Sequence, residues 1–338
     1  MKHAIGRYLT RIVLAGVAVL GLVTASLAEE PRFVRIGTGG TAGTYYPIGG
    51  LIASIISNPP GSRPCDKGGS CGVPNLIAVV QSSNGSVDNV TRLGAGELEL
   101  ALSQADIAYW AFHGTGLFAE KGPITNLRAI ASLFQETVHV VVRRESGIDR
   151  IADLGGRRVS LGEHGSGTLV NAQAVLDAYG IDVDDIEAQY LNAGAATLMM
   201  SAGKLDAFFF VAGPPVGAIE ELARTTPIKL LPIDGAEADT LVAFYPFFTK
   251  TEIPSGVYHG VDGVNTIGIG AQLLVAAELD DDLVYGITRA LWHENARKLL
   301  DRGHAKGRDI RLETALAGIS VPLHPGAERY YREVGLIK

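Results

Sequence analysis

The feature that most narrows the fold is a repeated local grammar of β-rich run, glycine-rich turn and apolar-periodic stretch. "VRIGTGGTAGTYYPIGGLIASI" (Val34–Ile55) has it, and "RVSLGEHGSGTLVNAQAVLDAYG" (Arg158–Gly180) repeats it, with Gly43 and Gly167 lying 124 residues apart. A second pair agrees. "TRLGAGELELALSQAD" (Thr91–Asp106) and "TLMMSAGKLDAFFFVAG" (Thr197–Gly213) each read as helix, glycine stop, acidic residue, strand. Strands alternating with helices build mainly parallel sheets covered by helices. Two copies of the pattern therefore predict two similar α/β lobes.

Within the first copy, strands are expected at Phe33–Gly37, Asn75–Gln81 and Leu98–Ser103, and helices at Tyr46–Ile56 and Ser86–Leu93. Between the copies runs "LRAIASLFQETVHVVVRR" (Leu127–Arg144), whose Val138–Val142 segment is β-branched and apolar. A second connection is read from Ile228 to about Pro246. The chain would thus cross to a second lobe (138–240) and return to complete the first (29–137 plus 241–338). In the tail, Asp280–Arg302 and Pro325–Glu333 read as amphipathic helices, the latter ended by Gly335.

The N-terminus carries Lys2, Arg7 and Arg11, then the apolar run Ile12–Ala25, then small residues at Ser26 and Ala28. That is the pattern of a secretory signal peptide. The run is short of the roughly 20 residues that span a bilayer. Cleavage is expected after Ala28, releasing a periplasmic chain of 310 residues, enough for two domains. Losing three positive charges and no acids takes the formal net charge from −7 to −10. An acidic chain without a basic block has no footprint for nucleic acid. The two cysteines, Cys65 and Cys71, stand in a glycine-containing loop, and an exported chain meets an oxidising space. A Cys65–Cys71 disulfide is expected; a metal or redox pair would need partners or a spacing that the sequence lacks.

The loops "GTGGTAGTYYP" (Gly37–Pro47) and "GEHGSGT" (Gly162–Thr168) carry the chemistry. Each follows a strand and opens a helix, where unpaired N–H groups and a partial positive field suit a carboxylate or phosphate. Thr41, Thr44, Ser166 and Thr168 add hydroxyls. "VVQSSNGSVDNV" (Val79–Val90) and its counterpart "YLNAGAAT" (Tyr190–Thr197) place polar residues after strands, where open α/β sheets bind ligands. Gln104 ends a strand, and Tyr45 or Tyr46 could wall a pocket. The first loop lacks a P-loop lysine and the G-x-G-x-x-G spacing, and Ser166, with His164 and Thr168 two residues away, is not the serine of a G-x-S-x-G. The histidines at 113, 139, 164, 259, 293, 304 and 324 form no metal-binding spacing. No cofactor, metal or catalytic residue is expected, although His164 lies in a proposed binding loop.

Taken together, "IGTGGTAGTYYPIGG", "RPCDKGGSCGVPNLIAVVQSSNGSVDNV", "GELELALSQAD", "SLGEHGSGT", "DAFFFVAGPP" and "PLHPGAERYYREVG" resemble the TAXI family of TRAP-transporter solute receptors. The resemblance spans essentially the whole mature chain. It implies the type II periplasmic-binding-protein fold, two α/β lobes joined by two hinge strands with the ligand in the cleft. It also implies a partner, the integral membrane permease of a tripartite ATP-independent transporter, and a small organic acid or glutamate-like amino acid as ligand. Carried over by motif, the contacts fall on Thr44, Tyr45, Ser83, Gln104, Ser166, Gly167, Thr168 and Gly213. One departure stands out. The arginine clamp of the better-known TRAP receptors has no counterpart in these loops, which leaves recognition to hydroxyls and backbone N–H groups; Arg92 and Arg128 sit on helix and strand edges. An exported enzyme and a signalling receptor remain the alternatives in other functional classes.

Overall fold

The computed structural model describes residues 30–338; the leader and its cleavage point after Ala28 lie outside them. The first third holds β1 (Arg32–Gly37), α1 (Tyr45–Ile56), β2 (Ser57–Asn58), β3 (Val73–Pro74), β4 (Leu76–Gln81), α2 (Ser86–Gly94), β5 (Leu100–Gln104) and α3 (Ala105–His113). Then follow β6 (Leu127–Arg143), β7 (Arg158–Ser160), α4 (Gly167–Ala178), β8 (Glu187–Gln189), α5 (Ala193–Ser201), β9 (Ala207–Ala212) and α6 (Gly217–Thr225). The remainder comprises β10 (Ile228–Leu230), α7 (Gly235–Phe244), β11 (Thr249–Ile253), β12 (Val264–Ala276), α8 (Asp281–Leu291), α9 (Glu294–Gly303) and α10 (Pro325–Glu333). No helix among the described residues is long and apolar enough to cross a membrane.

One sheet runs through the molecule in the order β4-β1-β5-β12-β6-β9-β7-β8, with β10 on β6 and β11 on β12. Strands β4, β1 and β5 are mutually parallel, as are β9, β7 and β8. Within the sheet the two parallel halves are joined through β6 and β12, which pair antiparallel from Leu127↔Ala276 to Thr137↔Gly268. Each half buries helices on both faces. In the first, α1, α8 and α10 enclose one apolar cluster around Ile52, Leu102 and Tyr331, and α2 and α3 enclose another around Leu93 and Ile107. In the second, α4 and α7 cover a cluster around Val140 and Val175, and α5 and α6 one around Phe208 and Ile219.

The change-over between halves falls inside the long strands. Phe134 packs in the first half and Val138 in the second; Ala271 belongs to the first and Ile269 to the second. β6, which contains the Val138–Val142 run, thus passes from the cluster of one half to that of the other. The return crossing is β12. The segment Ile228–Pro246, read as that return from sequence, instead stays with the second half: β10 pairs with β6 at Val141–Arg143, and Leu241 packs beside Ile233 and Phe248. Ile253, Tyr258 and Val261 likewise sit in a second-half cluster. The reason lies in β12 itself. Its glycine- and threonine-bearing start "VNTIGIGAQLLVA" carries a weak apolar signal, although the strand is almost wholly buried.

The expected long helix over Asp280–Arg302 is two helices. His293 breaks it by turning its ring onto the backbone, where Nδ1 accepts the Asn295 N–H at 3.1 Å and caps α9. His304 and His324 make the same bond to Lys306 N–H and Gly326 N–H, so three tail histidines have a structural occupation. Cys65 and Cys71 are joined in a disulfide.

His139 shows how the second half is tied to β6. Its ring is fully buried, and desolvation pushes its pKa down to about 4, so it is neutral. Nδ1–H donates to the Thr137 carbonyl at 3.0 Å, and Nε2 accepts the Tyr258 hydroxyl at 2.8 Å. That hydroxyl in turn accepts the Val216 N–H at 3.1 Å. Tyr258→Phe removes one oxygen and orphans two buried groups, so a loss of about 1–3 kcal/mol in urea unfolding is expected; a loss below ~0.5 kcal/mol would show that the chain of bonds contributes little.

Candidate functional site

Three helices begin at one place. The N-termini of α1, α2 and α4 surround a cavity of about 60 Å³ at the seam where β6 and β12 change halves. Its walls include Gly39, Gly40, Gly43, Thr44 and Tyr45 from the first glycine loop and Asn84–Ser86 from the third element. Gly162, Glu163 and Ser166–Thr168 come from the second glycine loop. Gln104, Glu136, Leu191 and Phe210–Ala212 close it. The halves touch across this space. Asp88 N–H donates to the Gly165 carbonyl at 2.9 Å, and the Thr44 hydroxyl to the Gly213 carbonyl at 2.8 Å. Gln104 Nε2 donates to Asn171 Oδ1 at 3.0 Å.

Of the residues singled out from sequence, Thr44, Tyr45, Gln104, Ser166, Gly167 and Thr168 line the cavity. Ser83 and Gly213 do not. The Ser83 hydroxyl is spent on its own turn, donating to the Thr38 carbonyl and accepting the Gly85 N–H. Gly213 sits behind the wall, where a Cβ would press on Lys306 and Phe134, and contributes its carbonyl to Thr44.

Several lining hydroxyls are likewise engaged. Ser166 caps α4, accepting the Leu169 N–H at 3.1 Å while donating to the Glu163 carbonyl at 2.6 Å. Thr168 Oγ1 accepts the Val211 N–H at 3.1 Å, and Thr44 is committed to Gly213. These hydroxyls therefore shape the cavity and aim the helix ends. Gly167 has no room for a side chain, since a Cβ there would fall 1.5 Å from Gln104 Oε1. His164 stacks on Tyr190, with ring centroids 4.4 Å apart, and is not part of the wall.

The sequence reading missed the acids. Glu136 lies on β6 opposite Ile269 of β12, at the change-over, and is 1% exposed. Burial is the main cause that lifts its pKa to about 8, opposed by the Tyr45 hydroxyl donating at 2.7 Å. Asp106 nearby adds to the rise and Lys306 opposes it. At neutral pH in the unliganded cavity the Glu136 carboxyl holds a proton. Glu163, half-buried in the second loop, is raised to about 7 chiefly by desolvation. Among the described residues that line the cavity none is Lys or Arg. The one hint in the sequence was an acid in the middle of a long strand that ends in an apolar run, "SLFQETVHVVV", a placement that burial penalises unless the group has a use.

A glutamate with a raised folded pKa takes up a proton on folding. Its stabilising contribution is therefore complete below pH 4.5 and is lost as pH rises towards 8. His139, lowered to about 4, acts oppositely but only below pH 6.5. Asp106, raised to about 6, has largely titrated by pH 7, whereas Glu163, raised to about 7, is about half ionised there and adds a smaller part of the slope above it. The ligand-free protein is expected to lose thermal stability between pH 7 and 8, and Glu136→Gln to flatten that slope. An unchanged slope in Glu136→Gln would contradict the assignment.

The sequence profile of the NMT1-like family matches residues 36–335. Among solved structures, PhnD1 from Prochlorococcus marinus (MIT 9301) in complex with methylphosphonate is similar at 12% identity and a TM-score of 0.53. The match covers 91% of this chain and 100% of that one. A protein from Bordetella bronchiseptica RB50 is similar at 15% identity and a TM-score of 0.52, over 89% of this chain and 81% of that one. The periplasmic aliphatic sulphonate binding protein SsuA from Escherichia coli matches at 15% identity and a TM-score of 0.45, over 90% of this chain and 84% of that one. The architecture is the two-lobed α/β fold of the periplasmic binding proteins.

Proposed function

Since the chain belongs to the NMT1-like family, we propose that it is an extracytoplasmic solute-binding receptor that delivers a small organic acid or amino acid to the integral membrane permease of a TRAP transporter. The observation that carries this reading is the cavity itself, held between two halves that share only β6 and β12 and ringed by three helix N-termini. Helix N-termini favour a carboxylate. Strands shared by two lobes can act as a hinge, so a ligand touching both halves favours the closed form. In this reading the lobes change over at Glu136–Thr137 on β6 and between Gly268 and Ala271 on β12. The leader would direct the protein to the periplasm.

The TRAP assignment rests on the string of motifs that resembles the TAXI receptors. The lining hydroxyls support binding over catalysis, because Ser166 and Thr168 spend their hydrogen bonds on backbone groups instead of on a base. A second reading has one observation behind it. PhnD1, similar in fold, is in complex with methylphosphonate, so an oxyanion of that kind belongs among the candidates. Glu136 and Glu163 in the wall, without a lining cation, weigh against a dianion.

A thermal-shift screen of mature protein, unfolded and refolded to strip carried-over solute, tests both. A ligand that binds only the folded state raises the midpoint by mass action. A shift with a carboxylate or amino acid is expected. A shift confined to phosphonates or sulphonates would transfer the assignment to the second reading, and a flat response from folded protein would contradict the receptor function.

A further inference from the structure

The cavity wall contains a chain of oriented amides whose direction is set from one end. Asp106, fully buried at the start of α3, accepts the Ile107 N–H at 2.6 Å and Asn171 Nδ2 at 2.8 Å. An ionised carboxylate can only accept, so Asn171 must turn its NH₂ to Asp106 and its oxygen away. That oxygen accepts Gln104 Nε2 at 3.0 Å. Gln104 in turn has its NH₂ committed. Its Oε1 is buried, accepts no hydrogen bond from the protein, and belongs to a side chain that is 2% exposed in the cavity wall. Flipping either amide would set oxygen against oxygen. The protein therefore presents an acceptor at this point, and an unmet buried acceptor is costly.

A second acceptor is wired to the same place. Gln104 N–H donates to Ser86 Oγ at 3.1 Å. Ser86 and Tyr45 line the same wall, and the Tyr45 hydroxyl donates to Glu136 at 2.7 Å. The cavity thus combines helix N-termini, which want negative charge, with Gln104 Oε1 and Glu136, which want an N–H donor.

We propose that Gln104 Oε1 and Glu136 form an acceptor pole that selects ligands carrying an ammonium group beside their carboxylate, with Asp106 as the positioning residue that fixes the polarity through Asn171. This rests on the receptor reading above and narrows its ligand to zwitterions. The charge balance follows from it. A cation placed against Glu136 favours the ionised carboxylate, so the bound ligand keeps its ammonium proton and the Glu136 proton leaves to solvent. The groups facing Glu136 are Tyr45 on α1, Asp106 on α3 and Lys306 after α9, with His139 further along its own strand. Lys306 is paired with Asp309 at 2.8 Å and does not line the cavity.

Matched pairs differing only in the α-substituent provide the test: L-glutamate against 2-oxoglutarate, and L-alanine against pyruvate, by titration calorimetry at pH 7.5. In at least one pair the ammonium member is expected to bind tenfold or more tightly than its oxo partner. Gln104→Met and Asp106→Asn should collapse that ratio towards one by weakening the amino acid by more than the oxo acid, whereas a general loss of structure would weaken both alike. Wild-type protein offers a readout independent of any variant. Titration in buffers of different ionisation enthalpy should show release of a large fraction of one proton per amino acid bound and none for the oxo acid. Oxo acids that bind as tightly as the amino acids, or amino-acid binding without proton release, would overturn the acceptor pole while leaving the receptor function standing. Binding of neither member of either pair would overturn the carboxylate-receptor reading and the pole with it.

Discussion

The structure depends on one interaction, the antiparallel pairing of β6 with β12. Every other strand of the large sheet belongs to one half or the other; these two belong to both. Their ladder slips at Ala271/Gln272 and again at Leu273/Leu274. Such irregularities bend and twist a strand locally and are common beside functional sites. The parallel halves on either side point their loops at the same gap because β6 and β12 are antiparallel to the strands they join. The cavity is a consequence of that geometry.

That placement explains the electrostatics. Burial at a seam between two apolar halves lifts the carboxyl groups of both Glu136 and Asp106. Only Glu136, raised to about 8, stays protonated at neutral pH unless something positive joins it, while Asp106, raised to about 6, is ionised. Glu136, Asp106 and Gln104 all stand at or beside this seam, held by Tyr45, Asn171 and Ser86. Hydroxyls that would be obvious ligand contacts in an open loop are instead used to join backbone to backbone. The site is made rigid by its own side chains, and rigidity limits what must be ordered when a solute arrives.

Much of this was legible in the sequence, and for a physical reason. Periodicity and glycine placement are local signals, so α1 and α2 with β1 and β4 before them, and α10, could be read within a residue or two, and the strand–turn–helix order of β7 and α4 as an order. The paired loops around Gly43 and Gly167 converged on one cavity as their matching positions implied. What failed was non-local. The second crossing was misplaced because Val264–Ala276 becomes a buried strand through its neighbours β5, β6 and β11, not its own composition. Ser83 and Gly213 fell behind the wall because a side chain's direction depends on partners such as Thr38 and Phe134. Glu136 was overlooked because an acid in a strand reads as an exposed edge until its burial is known.

The central claim is that the two halves close around a solute across the β6–β12 seam. Both native cysteines are tied to one another, so spin labels can be placed by cysteine substitution at Leu198 on α5 and Leu299 on α9, which are 72% and 47% exposed. Pulsed dipolar spectroscopy on solute-stripped protein is the most direct measurement. Adding the solute found by thermal shift is predicted to shorten and narrow the interspin distance distribution, through a rise in the closed population. A distribution identical with and without bound solute would contradict closure, leaving a rigid pocket in place of a hinged receptor.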